Sequence, residues 1–193
     1  MAAIKRTPII ESTPGNAPPV EAAGWLVAAP VSLPAGLLLA DDSHRGKIMI
    51  HGRAGEQAVA TLGMMAPAAA GQSARARDVA IYRLRPDQLF INTAPGGEAE
   101  LLAALSSAGN GDMMTVTDVT HGRAQLRLSG SRAAELLSHM CALDCHPDHF
   151  PDGTARQTSV AKTTHGVLSY ALVGARSLGA YLWATIQEAA RGL

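Results

Sequence analysis

The sequence predicts an α+β fold made of two tandem split-βαβ (ferredoxin-like) units with antiparallel sheets. Three observations lead there. A short alternating run followed by a glycine and an apolar-periodic stretch occurs twice, around Gly52 and Gly130, 78 positions apart. After each copy comes a hairpin pattern and then a second helix pattern. Room also remains for a closing strand such as Met114 to Val119, which completes the β-α-β-β-α-β order.

Taken in order, residues 1–22 hold Pro8, Pro14, Pro18 and Pro19 with Ser, Thr and Gly between them, and read as an extended N-terminal arm. Residues 23–112 are expected to form the first α+β unit and residues 113–193 the second. In the first, Ile48 and Ile50 alternate with Lys47, Met49 and His51, the period of a strand with one buried face. Ala58, Val59 and Leu62 then keep helical spacing. DVAIYRL and QLFINTA flank the turn Arg85-Pro86-Asp87, and GEAELLAALSSA follows as a helix. Gly/Ala/Arg-rich connections run from Ala66 to Arg77 and from Gly109 to Asp112.

In the second unit, Leu126 and Leu128 alternate with Gln125, Arg127 and Ser129. Ala133, Leu136, Leu137, Met140 and Cys141 follow the i, i+3, i+4, i+7, i+8 rule of an amphipathic helix. TSVAKTTHGVLSYALV supplies the strands and SLGAYLWATIQEAA the last helix, where Leu178, Tyr181, Leu182, Thr185, Ile186 and Ala189 make one stripe. If the repeat is real, Lys47–Ile50 and Ala124–Leu128 hold the same place in their units.

Composition narrows the function classes. The 193 residues carry 16 Lys+Arg against 16 Asp+Glu, so no basic excess exists to track a phosphate backbone. Charged residues make up 17%, below the typical value of about 25%. Such a surface fits a chain covered by another protein; an alanine-rich composition is the alternative source. No run reaches the roughly 18 apolar residues of a membrane span, and the stretch from Ala22 to Ala40 is broken by Pro30 and Pro34. The N-terminus lacks a signal-peptide pattern, and two cysteines suit a reducing compartment, so a cytoplasmic location is expected.

The search for chemistry finds little. Cys141, Cys145, His146 and His149 are all zinc-ligand types, but they crowd into nine residues stiffened by Pro147, whereas structural zinc takes ligand pairs from separate elements. A Cys141–Cys145 disulfide is disfavoured in a reducing cytoplasm, and an adjacent Cys145–His146 pair lacks the spatial convergence a nucleophile needs. His44, His51, His121, His139 and His165 are scattered. Asp118 and His121 could orient one another at a strand end, although such pairs are more often turn residues. No G-x-G-x-x-G or G-x-x-x-x-G-K-[ST] motif is present. No catalytic, cofactor-binding or metal residue is therefore assigned.

From Lys47 to Leu193, about three quarters of the chain, the order of segments resembles the gamma subunit of heterotetrameric sarcosine oxidase. The run Leu143-Asp144-Cys145-His146-Pro147, then Phe150-Pro151 and Gly153, is similar to that family's LDLHP…FPPG signature. Asp152 stands in place of a second proline and Cys145 in place of a leucine, which marks a packing position. AIYRLRPDQLFINTAP resembles the family's VLWLGPDEWLLVAP hairpin, and Tyr181-Leu182-Trp183 its YLW.

The resemblance implies part of the folate-binding aminomethyltransferase fold. It implies a non-catalytic subunit scaffolding the folate-binding large subunit of a flavin-dependent complex that oxidises sarcosine to glycine, with the methyl carbon passing to formaldehyde or tetrahydrofolate. Alpha, beta and delta partners would carry FAD, FMN, NAD and tetrahydrofolate, leaving no cofactor on this chain. The same small-subunit family includes a component of N-methylglutamate dehydrogenase, so that complex is an alternative. An alternative of another class is a free-standing folate-dependent one-carbon protein, which would need a third domain beyond Leu193. A small zinc-binding regulatory protein would rest on the Cys/His cluster alone. Trp183 lies off the predicted stripe of its helix, so it is expected to be an interface anchor for the large subunit.

Overall fold

Short strands open the chain because proline and glycine interrupt every apolar run before residue 37. The computed structural model describes residues 4–10, 17–109, 113–161, 163–168 (backbone only) and 170–193. Residues 1–3 and 11–16 of the expected arm, 110–112 of the second connection, Lys162, Ser169 and the side chain of His165 lie outside the described residues. Strands β1 (Lys5–Arg6), β2 (Val20–Ala22) and β3 (Trp25–Val27) form a small sheet in the order β1-β3-β2. Next come β4 (Val31–Leu33) and β5 (Leu37–Asp41), an antiparallel pair.

The described part of residues 1–22 is thus not a free arm. Thr7 and Ile9 are fully buried. The cause is polar as well as apolar: the buried Asp41 carboxylate accepts the Thr7 hydroxyl, the Ala28 N–H at 3.1 Å and the Ser43 N–H at 3.0 Å. One acid collects three donors, as a buried carboxylate must.

The first repeat copy gives β6 (Gly46–His51), α1 (Ala54–Thr61), β7 (Ser73–Ala76), β8 (Val79–Arg85), β9 (Gln88–Thr93), α2 (Glu98–Ala108) and β10 (Thr115–Asp118). The second gives β11 (Arg123–Ser129), α3 (Ala133–Met140), β12 (Ala155–Val160), β13 (Thr163–Leu168), β14 (Ala171–Ala175) and α4 (Gly179–Ala190). The hairpin β8–β9 turns at Pro86-Asp87, as the proline and aspartate predict.

Two sheets follow, ordered β10-β6-β9-β8-β7 and β5-β11-β14-β13-β12, the latter with β4 added beside β5. Position by position they correspond. Strand β6 in its sheet holds the place of β11 in the other, each between a closing strand and the last hairpin strand, and every one of those pairings is antiparallel.

The expected division at 23–112 and 113–193 is corrected. One unit comprises Arg45–His121 with Gly153–Arg156; the other comprises Met1–His44, Gly122–Asp152 and Gln157–Leu193. The closing strands explain this. β5 precedes β6 in sequence but pairs with β11, through Leu126↔Asp41 and Leu128↔Leu39. β10 precedes β11 but pairs with β6, through Thr117↔Met49 and Val116↔Ile50. Each unit is closed by the strand that leads into the other.

The repeat glycines mark the same spot in both. Gly52 and Gly130 have φ of 115° and 123°, a region L-residues avoid. A Cβ on Gly52 would lie 2.3 Å from the Met113 carbonyl oxygen, and one on Gly130 would lie 2.6 Å from that of Gly36. Both carbonyls belong to the segment entering the closing strand. Only glycine lets that strand approach.

Ile48, Ile50, Val59, Ile81, Leu89, Ile91 and Leu105 make the core of the Arg45–His121 unit. Its strand β6 departs from the expected one buried face, because Lys47 and Met49 are buried too. The Lys47 stem is covered and its ammonium reaches the Arg45 carbonyl at 2.7 Å, as a long cationic side chain can.

Leu39, Leu126, Leu128, Leu136, Leu137, Leu172, Leu182 and Ile186 build the other core, with Trp183 in it at 0% exposure. The expectation of Trp183 as a surface anchor is corrected. Gly179, Leu182, Trp183, Ile186 and Ala190 are the buried face of α4, while Tyr181 is 48% exposed. At about 100° per residue, that face is turned roughly a quarter turn from the predicted stripe. The turn brings tryptophan in and sends tyrosine out, where its hydroxyl donates to the Ala161 carbonyl at 3.1 Å.

Candidate functional site

The segment that carries the most specific sequence signature, Cys141 to Gly153, begins where α3 stops. Cys141 is extended and caps the helix through its N–H to the Leu137 carbonyl. It bridges to Val160, so it sits past the helix rather than on its core face as expected. Asp144 then folds the loop. One oxygen accepts the His146 N–H at 3.0 Å, an Asx turn, and the other pairs with His149 Nδ1. The His146 carbonyl accepts the N–H groups of His149 and Phe150 at 2.9 and 2.8 Å, a tight turn around Pro147.

Behind this surface turn the loop is anchored in the core. Phe150 is buried and stacks on Tyr170, ring centroids 6.2 Å apart. The Tyr170 hydroxyl donates to the Cys145 carbonyl at 2.7 Å. Tyr170 has φ of 64°, a left-handed turn residue whose own carbonyl accepts the Leu128 N–H of β11. Cys145 is 1% exposed and packs in the leucine core, which fits its place in a leucine position of the signature.

Electrostatics divide the segment into an ionic outside and a neutral inside. The hydrogen bond to His149, then that from the His146 backbone, holds the Asp144 carboxyl below its usual range. The Asp144 carboxylate in turn raises His149. Burial, then the neighbouring Cys141 sulfur, pushes the Cys145 thiol up to about 12. Burial also raises Tyr170. A thiol that stays protonated is neither a nucleophile nor a ready metal ligand.

The four zinc-ligand types are therefore split by environment. His146 and His149 stand exposed with ring centroids 6.3 Å apart, while Cys145 is buried. Among the described residues, no three His, Cys, Asp or Glu side chains converge as a metal site. Asp118 is a turn residue, its carboxylate accepting the Thr120 N–H at 2.8 Å. His51 meets Gln88 at 2.9 Å on the surface. Reading the sequence missed the Tyr170–Cys145 tie and the Asp41 hub. An acid closing the apolar run Leu37–Ala40 was the available signal for the hub.

Each unit has a groove. One of about 690 Å³ runs between Met64, the β7–β8 turn at Arg77-Asp78, and Glu100 and Leu101 of α2. The other, about 620 Å³, is lined by Ser131, Glu135 and Ser138 near and on α3 and by Asp144, His146 and Tyr170. Carboxylates outnumber cationic side chains in both linings. No helix among the described residues is long and apolar enough to cross a membrane.

Comparison with known proteins adds a lineage to this geometry. The GCVT N-terminal domain model matches residues 34–189. Sarcosine oxidase subunit gamma from Arthrobacter sp. is 36% identical over 117 residues, 58% of this chain and 55% of that protein; the match thus spans about half of the relative's length. A chain of the heterotetrameric sarcosine oxidase from Corynebacterium sp. U-96, solved with pyrrole 2-carboxylate, superposes with a TM-score of 0.76 at 21% identity, over 84% of this chain and 88% of that one. Aminomethyltransferase T of the glycine cleavage system from Bartonella henselae gives 0.70 at 17% identity, over 95% of this chain and 57% of that one. The likenesses establish the antiparallel α+β, aminomethyltransferase-like fold expected from the sequence.

Proposed function

Since the chain belongs to the GCVT N-terminal domain family, we propose that it is a gamma-type subunit of a flavin-dependent complex that oxidises sarcosine to glycine. The observation that carries this reading is the 36% identity to a sarcosine oxidase gamma subunit. In the proposed complex the chain is non-catalytic. It scaffolds the folate-binding large subunit, and the methyl carbon leaves as formaldehyde or passes to tetrahydrofolate on that subunit. FAD, FMN, NAD and tetrahydrofolate reside on the alpha, beta and delta partners, in the cytoplasm.

Two features support the non-catalytic role. The ion pairs of the signature loop, Asp144 with His149 and His146 with Asp148, are satisfied within the loop at the surface. The Cys145 thiol beneath it is neutral and packed.

Purification of the tagged chain from its native host tests the reading. A flavoprotein should co-elute and reduce an electron acceptor with sarcosine, and activity should fall when this chain is deleted. A chain that elutes free of any flavoprotein would sink the proposal. Activity with N-methylglutamate and none with sarcosine would move it to the N-methylglutamate dehydrogenase branch.

A further inference from the structure

The groove of about 690 Å³ on the Arg45–His121 unit is not used by the proposed scaffold role. Its floor is apolar: Leu62, Met64 and Leu101 line it, and each packs against the core of that unit while staying partly uncovered. Its rim is charged. Arg77 and Asp78 come from the β7–β8 turn and Glu100 from the first turn of α2, and all three are exposed. Among the described residues, their side chains make no hydrogen bond or ion pair.

Arg77 holds its place on this rim against its own backbone preference. Ala76 pairs with Val79, so Arg77 and Asp78 form a two-residue hairpin loop. Arg77 has φ of 53°, the left-handed region that such a loop normally gives to glycine or asparagine. A long side chain kept in that region, with no partner inside the described chain, is strain of the kind found at ligand clamps. The groove's volume falls within the range of small-ligand clefts, roughly 300–1,000 Å³, and an apolar floor with a few polar groups at its edge is their usual make-up.

We propose that this groove binds a small zwitterion with an aliphatic body, of the size and charge of a free leucine-like amino acid. The three rim charges set the class. The Arg77 guanidinium suits a carboxylate, which it can hold through two parallel N–H donors. Asp78 and Glu100 suit an ammonium. A lone anion would face two carboxylates, and a lone cation would leave the guanidinium unanswered, so the head group carries both signs. The aliphatic body covers Leu62, Met64 and Leu101 and removes their apolar surface from water. This binding is independent of the proposed assembly.

The test is an NMR titration of the full chain with L-leucine as the probe. The expected result is a saturable shift of the Gly63, Ala94, Gly97 and Leu101 amides, which border the groove. Isocaproate, which lacks the ammonium, and isopentylamine, which lacks the carboxylate, should each bind about tenfold more weakly or worse. Sarcosine, with both charges and almost no apolar body, should do the same. Arg77→Gly should fold at least as well as wild type, since glycine takes the turn freely, and yet lose leucine. The double variant Asp78→Asn, Glu100→Gln should lose the preference for leucine over isocaproate. The proposal is overturned if leucine gives no saturable shift, or shifts only amides away from the groove. It is equally overturned if isocaproate or sarcosine binds as tightly as leucine, or if Arg77→Gly binds leucine like wild type.

Discussion

The hydroxyl of Tyr170 and the carbonyl of Cys145 meet at 2.7 Å, joining the turn before β14 to the loop after α3. Twenty-five positions separate them. The same ring stacks on Phe150, so one side chain fastens the signature loop at two points. Tyr170→Phe keeps the stack and removes the hydrogen bond. It should cost about 1 kcal/mol, the net value of one intramolecular hydrogen bond. Tyr170→Ala should cost clearly more. Denaturant midpoints measure both; a Tyr170→Phe midpoint equal to that of wild type would deny the hydroxyl any role.

At Trp183 the fold reverses the sequence expectation, and the measurement can separate the two. A fully buried tryptophan truncated to alanine should cost about 3–5 kcal/mol, through lost burial and a cavity. The isolated chain should melt well below wild type, while Trp183→Phe recovers part of the loss. A variant that melts normally alone but fails to assemble would restore the anchor idea.

What the sequence made legible was local. The period-two run at Ile48 and Ile50, the turn at Pro86-Asp87 and the helix spacing of Leu136 and Leu137 each declare themselves within a few residues, because strand and helix periods are properties of adjacent side chains. The matching glycines, Gly52 and Gly130, were visible as a repeat before their shared role was. What was not legible was long-range. Nothing in LLLAD marks β5 as a partner of β11 rather than of the strand beside it in sequence. The rotation of α4 was hidden for a related reason: Tyr181 and Thr185 are apolar enough to extend a stripe, so the pattern admitted two faces and tertiary packing chose the one with Trp183. For the candidate site, the signature located the loop, whereas its anchor Tyr170 came from a separate hairpin.

The pairing of Asp144 with His149 makes the loop pH-dependent. His149 is raised above 6.5 and Asp144 lowered below 3.8. The histidine's contribution is complete below 6.5 and is lost as pH rises through its raised value. That of the aspartate is complete above 3.8 and is lost as pH falls through its lowered value. The loop should therefore be tightest between those two reference values. An NMR titration of His149 should show the elevated value, and Asp144→Asn should bring it down. No change in that variant would mean the ion pair does not form in solution.

Alanine at the repeat glycines should be costly for the same reason in both units. At Gly52 and Gly130 the new Cβ meets a backbone carbonyl, which cannot rotate away as a side chain could, and φ is positive as well. Each substitution should cost more than the roughly 1 kcal/mol by which alanine normally differs from glycine, and in the destabilising direction. Hydrogen exchange should locate the damage at β10 for Gly52→Ala and at β5 for Gly130→Ala. Damage spread evenly over the chain would argue against the closing-strand contact.

The exchange of closing strands predicts how the chain responds to losing its first 44 residues. By position in sequence, a tandem arrangement would keep its second unit intact after such a truncation. In the observed topology β11 loses its partner β5, and Leu37, Leu39 and Ile9 leave the core that holds Leu126 and Leu128. A bared edge and an opened apolar face together leave Gly122–Leu193 without a stable sheet. The strands of the Arg45–His121 unit, whose closing strand β10 is retained, keep their pairings. Residues 45–193 should therefore show amide protection confined to β6, β8, β9 and β10. A separate peptide spanning residues 17–44 should restore protection at Leu126 and Leu128 by re-forming the β5–β11 ladder. If residues 45–193 protect β11 and β14 without the peptide, the strand exchange contributes nothing to that unit's stability, and the tandem division at residue 113 describes the chain better.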